Sequence, residues 1–309
     1  MTYSVAPAEP HYPLGPADAE IPHSADGLEK GRNHYLHVRS VERVIRAMMQ
    51  RLDRPMHNNE MADIACQSPF HFNRVFHRLT GVPPIQFHYA LRLQEAKRLL
   101  ISTDLRITDI CFEVGYGSLG TFVTRFNALV GLSPTSFRRY ARQLASMDFQ
   151  EFRPQLLALR GFVAPRSSVI TGTIEPHTNG GVVFSGLFRR GIPEGEPVSC
   201  GYSLDKANYT IGVPEHGDWF VFLVAVPWTA SGMQLLLLDG LPRGRSGLIS
   251  RNAGCNCDTS VALRPSSLLH PPILTAIPLL MWRRFNELMV RPPLEKLFAR
   301  PAVASAAET

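Results

Sequence analysis

Cysteine is scarce in this sequence, and what else is missing narrows the field further. The five cysteines, Cys66, Cys111, Cys200, Cys255 and Cys257, are odd in number and follow no framework spacing. That excludes a disulfide-stapled secreted scaffold and fits a reducing, cytoplasmic setting. Cys255-Asn256-Cys257 taken with Cys200 offers three sulfurs and no assigned fourth ligand. A tetrahedral zinc site needs four, so neither metal nor cofactor is expected. Long apolar runs are also missing. The longest, near Trp219 to Val226, falls far short of the ~20 residues that span a bilayer. No charged stretch followed by an apolar one reads as a signal peptide, so no membrane partner is expected. Catalytic motifs are lacking as well: His177, His216 and Asp218 stand isolated in loop-like segments, and no glycine-rich loop is built to cradle phosphate. The reading is of a protein that is not an enzyme.

Acidic residues are short in one region only. Residues 29–146 hold 17 Lys and Arg against nine Asp and Glu, whereas residues 147–309 hold 15 against 13. The formal net charge of +6 is therefore concentrated on the first half, as on a surface that meets phosphates. Residues 1–28 carry four acids, no Lys or Arg, and no hydrophobic period, and read as a flexible arm.

The basic region is written twice. Ser68, Phe72, Phe76, Leu79, Gly81 and Pro84 recur 50 residues later as Ser118, Phe122, Phe126, Leu129, Gly131 and Pro134. Upstream the offset is 49, aligning Met61–Ala65 with Ile110–Val114, so that Cys66 stands opposite Gly115. A repeat names a structural unit used twice. Each unit reads as helix, tight turn, helix. Ser68-Pro69 is a start signal, because proline at the first helical position loses no helical hydrogen bond. Ser118 is expected to cap the second copy, and Thr108 or Asp109 the short helix before it. Gly81 and Gly131 stop the long helices, and Pro84 and Pro134 follow. Gly115 falls where a left-handed turn is needed, and Cys66 is expected to be a buried structural residue in the first copy. A preceding helix is expected over 39–52, with Val41, Val44, Ile45, Met48 and Leu52 at helical spacing.

Ser68 to Phe76, Gly81-Val-Pro-Pro84, Arg92 to Leu100, Ile110 to Tyr116, Gly131 to Pro134 and Phe137-Arg-Arg139 together resemble the DNA-binding domain of the AraC-type transcriptional regulators. The resemblance covers about Leu36 to Gln143. It implies two helix-turn-helix units joined by a linker helix over about Pro84 to Ser102, binding double-stranded DNA with the transcription machinery as a further partner. With Phe72, Phe76 and Leu79 turned inward, Phe70, His71, Asn73, Arg74 and His77 lie toward the DNA side. Asn can pair with an adenine edge and Arg with guanine or phosphate, while Phe70 either touches a thymine methyl or staples the helix start. The second copy offers Leu119, Gly120, Thr121, Thr124 and Arg125. It departs from the family pattern in having Thr124 where an arginine is usual, so most side-chain readout is expected from the first copy. Alkyl-transfer repair proteins share this type of domain. The alternative is therefore a DNA-anchored enzyme with a reactive cysteine, although none of the five stands in a recognisable reactive motif.

From Val169 the helical period gives way to short apolar runs and Gly/Pro turns. Candidate strands are 169–174, 181–188, 197–202, 209–213, 219–225, 234–238, 247–250 and 260–263. Their spacing argues for a β-sandwich, and Thr171-Gly-Thr, Leu187-Phe, Val213-Pro and Trp219-Phe-Val resemble the carboxypeptidase regulatory-like (transthyretin-like) module. The strand at Trp219 to Ala225 is apolar on both faces, and a sandwich buries only one. The other face is covered by the apolar segment Ile273 to Phe285, by a second copy of the chain through outward Ile277 and Leu280, or by an apolar ligand. The expected architecture is multidomain α and β, an all-α double helix-turn-helix domain followed by an all-β sandwich domain. Its divisions are an arm over 1–28, a DNA-binding domain over 29–146, a linker over 147–166, a sandwich for sensing a small-molecule effector or forming a homodimer over 167–290, and a tail over 291–309.

Overall fold

The computed structural model describes residues 25–145, 153–154, 169–175, 180–204, 207–214, 216–251, 259–277 and 279–280. Seven helices come first: α1 (Ala25–Met49), α2 (Asn58–Ala65), α3 (Pro69–Thr80), α4 (Pro84–Ser102), α5 (Ile107–Glu113), α6 (Leu119–Val130) and α7 (Pro134–Ala145). The repeat is thus structural. α2 and α3 form one unit, α5 and α6 the other, and α4 joins them over the predicted span.

Each unit closes on its phenylalanines. Phe72, Phe76 and Phe87 stack edge to face in the first, and Phe122, Phe126 and Phe137 follow the same order in the second. Gly81 and Gly131 end α3 and α6 in left-handed conformations, at φ 77° and 83°. Ser118 Oγ accepts the Thr121 N–H at 3.4 Å, whereas Ser68 makes no side-chain cap and leaves the start of α3 to Pro69. α5 begins earlier than expected, after Arg106, whose N–H donates to Asp109 at 3.3 Å. α1 starts within the expected arm and ends at Met49 rather than 52. Its residues 31–36 are exposed, so they carry no apolar period by which the sequence could show a helix.

The second half forms two sheets. β1 (Val169–Glu175), β4 (Asn208–Gly212) and β8 (Val261–Ala262) make one, in the order β4-β1-β8. β2 (Gly181–Phe188), β3 (Ser199–Leu204), β5 (Gly217–Pro227) and β6 (Arg243–Arg245) make the other, and β7 (Ile249–Arg251) pairs the start of β5. Residues 234–238 are not a strand. A short helix, α8 (Gly232–Leu237), occupies them, started by a reciprocal Ser231–Gln234 capping box.

Ile170, Tyr209, Ile211, Val183, Trp219, Val221 and Leu223 fill the space between the sheets. The other face of the five-stranded sheet is where the two halves of the chain meet. Val182, Phe184, Val224 and Val226 share one continuous core with Leu93, Ile110, Phe122 and Phe126 of the second helical unit. Ile273, Leu274, Ala276, Ile277, Leu279 and Leu280 complete it. Ile277 and Leu280 are therefore buried rather than outward, and the second apolar face of β5 is covered within the chain. Trp282 and Phe285 lie outside the described residues.

Severing the chain near residue 146 would strip this cover from α4 and α6. A fragment of residues 29–146 should retain its helices by circular dichroism yet melt at least about 5 °C below the whole chain, since exposing a few large apolar side chains is worth several kcal/mol. Equal melting temperatures would show that the shared core adds nothing to the helical half.

Candidate nucleic-acid interface

Helical spacing separates the faces of α3 cleanly. Phe72, Val75, Phe76 and Thr80 are buried, and the opposite face presents Phe70, Arg74 and His77 to solvent, with His71 and Asn73 half-buried between. Phe70 is 79% exposed, so it does not staple the helix start. Arg74 leans between the Phe70 ring, 6.0 Å from its guanidinium carbon, and His71 Nδ1 at 3.4 Å. Asn73 Nδ2 donates to the Pro69 carbonyl at 2.9 Å. A bidentate contact to adenine would require that local bond to open.

Residues outside the expected set join this surface. His37 of α1 packs its ring 5.5 Å from that of His71, and Arg78 Nη2 lies 3.3 Å from His37 Nδ1. Burial, with the positive charge of Arg78 and the neighbouring imidazoles, lowers the pKa of His37. Its neutral ring can then accept from Arg78 and leave that cation directed outward. Arg78 was detectable as a basic residue four positions after Arg74 on the same helix face. His37 was not, because its place depends on how α1 crosses α3.

On α6, Leu119, Gly120, Thr121 and Thr124 are exposed at the start of the helix and on its outward side. Leu119 is 39% exposed. Arg125 differs. Its guanidinium lies 4.1 Å over the Tyr89 ring of α4. Burial alone would lower its pKa, but the neighbouring Tyr89 and Tyr116 outweigh that and raise it. Arg92 continues the stack, 5.6 Å from the Tyr89 ring and 4.7 Å from the Tyr116 ring, and donates to the Val114 carbonyl at 2.6 Å. This alternation of cations and rings fixes α6 against the linker helix. Arg125 belongs to that joint as much as to the outward face.

The far end of α6 is held by the second half of the chain. The Gly195 N–H donates to Leu129 O at 2.7 Å and the Ala276 N–H to Val130 O at 3.2 Å. The start of the helix stays open. This is the end from which a recognition helix meets base edges, and its unsatisfied N–H groups favour phosphate.

Cys66 is exposed rather than buried and adopts φ 55°, so it stands as a left-handed turn residue where the second copy has Gly115. Cys111 is buried, and burial raises its thiol pKa, with Arg92 opposing. Cys200 is exposed, while Cys255 and Cys257 lie outside the described residues. Among the described residues no cluster of His, Cys, Asp and Glu could hold a metal ion, and no helix is long and apolar enough to cross a membrane.

A helix-turn-helix domain family matches residues 61–140. The bifunctional transcriptional activator/DNA repair enzyme AdaA of Bacillus subtilis (strain 168) is 33% identical over 82 residues, 26% of this chain and 39% of that protein. The HTH-type transcriptional regulator GlxA of Rhizobium meliloti (strain 1021) is 30% identical over 124 residues, 40% of this chain and 37% of that protein. The chain thus spans less than half the length of either relative. Among solved structures, the DNA-binding domain of AdpA, a global transcriptional factor in complex with a target DNA, is 26% identical over 33% of this chain and 93% of that one, at a TM-score of 0.32.

Proposed function

We propose that the chain, whose residues 61–140 match a helix-turn-helix domain family, is an AraC-type, sequence-specific transcriptional regulator acting on duplex DNA in the cytoplasm. The observation that carries this reading is the tandem pair of units. α3 and α6 each bury one face on phenylalanines and leave their starts open on a net-basic domain. Placed in successive major grooves, about 34 Å apart on one side of the duplex, they let a single chain read two adjacent sites. Phe70, Asn73, Arg74 and His77 read bases or grip backbone from α3, with His71 and Arg78 supporting them. Leu119, Thr121 and Thr124 meet thymine methyls or backbone from α6, and Gly120 allows close approach. The transcription machinery is the further partner.

Arg74→Ala should weaken binding to a selected operator by roughly 1–3 kcal/mol at matched salt, measured by fluorescence anisotropy on the full chain. A fall confined to non-specific DNA would make Arg74 a phosphate contact instead. Unchanged affinity for both would take α3 off the DNA.

The repair-enzyme reading fits less well. The buried Cys111 thiol has its pKa raised, the opposite of what an activated nucleophile needs. Limited alkylation followed by mass spectrometry should find no hyper-reactive cysteine, and one such residue would restore that reading. Because the second face of β5 is covered within the chain, that face and the buried Ile277 and Leu280 offer no homodimer surface.

A further inference from the structure

Where the two halves meet, the structure holds a cavity of about 230 Å³ whose lining is of two kinds. Phe222, Val224, Ile273 and Ile277 supply apolar lining. Arg243, Arg245, Arg264 and His270 also line it. No Asp or Glu lines it among the described residues. Arg243 is half-buried, and its hydrogen bonds go to neutral carbonyls: Leu238 at 3.0 Å, Pro271 at 3.4 Å and Leu241 at 3.5 Å. Among the described residues no ion pair joins it to a carboxylate, and Asp239 acts on it only through space. Removing a cation from water without a paired anion is costly, and an entering anion would recover much of that cost.

We infer that this cavity is a binding site for a small organic carboxylate, its charged head on Arg243 and its apolar body against Phe222, Val224 and the 273–277 segment. The volume lies below the roughly 300–1,000 Å³ of drug-sized sites, so the ligand is small, an aromatic or short aliphatic acid. A phosphate would bring three acceptor oxygens into a partly apolar space, and fits less well.

The walls are also the parts that hold the helix-turn-helix units. Thr80, the last residue of α3, lines the cavity. Pro193 and Ile277 line it too, and the segments that carry them supply the Gly195 and Ala276 bonds to the end of α6. Leu268 and Leu269, beside His270, pack into the core of the first unit. A bound acid therefore draws together the supports of both recognition helices. This effector role rests on the DNA-binding reading, whereas the binding itself does not.

The test is a thermal-shift titration of the full chain with benzoate and hexanoate, against benzamide and hexanamide as uncharged matches. At least one acid should raise the melting temperature by about 5 °C at a concentration about a hundred times its Kd, and the amides should not. Arg243→Gln should abolish the shift. Ala262→Trp, at an exposed lining position, should abolish it too and carries the test if Arg243→Gln fails to fold. No shift with either acid, equal shifts with the amides, or a full shift retained in Ala262→Trp would each overturn the site. The acid that binds should also change operator affinity by about fivefold or more, and an unchanged affinity would overturn the effector role. If the chain binds no DNA at all, the DNA-binding reading fails while the thermal shift still judges the site.

Discussion

Gly115→Ala should destabilise the chain by about 3–5 kcal/mol, from a strained left-handed backbone and a steric clash acting together. Gly115 sits at φ +73°, and a Cβ there would lie 2.5 Å from the backbone of Asp53 and from Arg92 Nη2. The arginine could shift only by giving up the Tyr89–Tyr116 stack and its bond to Val114 O. The Asp53 backbone cannot shift without moving the connection between α1 and α2. In the first copy the corresponding turn is made by Cys66 at φ 55°, exposed and already carrying a side chain. Cys66→Gly should therefore be neutral or stabilising by up to about 1 kcal/mol, because it relieves an unfavourable backbone conformation. Urea denaturation of both variants checks the pair. If Gly115→Ala costs under about 1 kcal/mol, the approach of the α1–α2 connection to this turn is looser than the structure has it.

The same comparison shows what a sequence can and cannot disclose. Gly115 was legible because a turn that requires positive φ selects its residue locally, and the stops at Gly81 and Gly131 were legible for the same reason. The linker helix was legible too, since a proline opens it and an apolar stripe runs along it. Its other buried face was not. Gln94 and Lys97 look like ordinary surface residues of an amphipathic helix, yet both are buried. Their partners, Leu237, Asp239 and Ile273, are 143 to 176 residues away. No local pattern carries such a contact. Residues 234–238 were misread for a related reason. A run of leucines buried on every side has no period to tell helix from strand, and the Ser231–Gln234 capping box was the signal that decided it. On the DNA side, the outward residues of α3 followed from the phenylalanine spacing. The engagement of Arg125 with Tyr89 depended on how α6 meets α4.

Lys97 carries the other large effect, and its sign can be worked out. The side chain is fully buried, its Nζ donates to the Ile273 carbonyl at 3.1 Å, and the Phe137 ring lies 5.9 Å away. Burial lowers its pKa to about 7, with Asp239 pulling it up and Arg243 pushing it down. The folded value lies below the unfolded one, near 10.4. Below pH 7 both states bind the proton, and folding bears the full cost of the buried charge. Between about pH 7 and 10 the unfolded state binds more protons, so this group makes the chain more stable as pH rises, by at most about 1.4 kcal/mol per unit. Lys97→Met removes the charge and keeps the volume, leaving one carbonyl without its donor, a loss of about 1–3 kcal/mol. The variant should therefore be at least as stable as the parent at pH 6.5. Its advantage should shrink by about 2–4 kcal/mol by pH 9.5, leaving it the less stable of the two. Denaturant unfolding of both chains at the two pH values isolates the effect, because every other titrating group is common to them. A difference that does not change with pH would mean that Lys97 reaches water. The β half would then sit off the linker helix, and the shared core that couples it to the recognition helices would be lost with that contact.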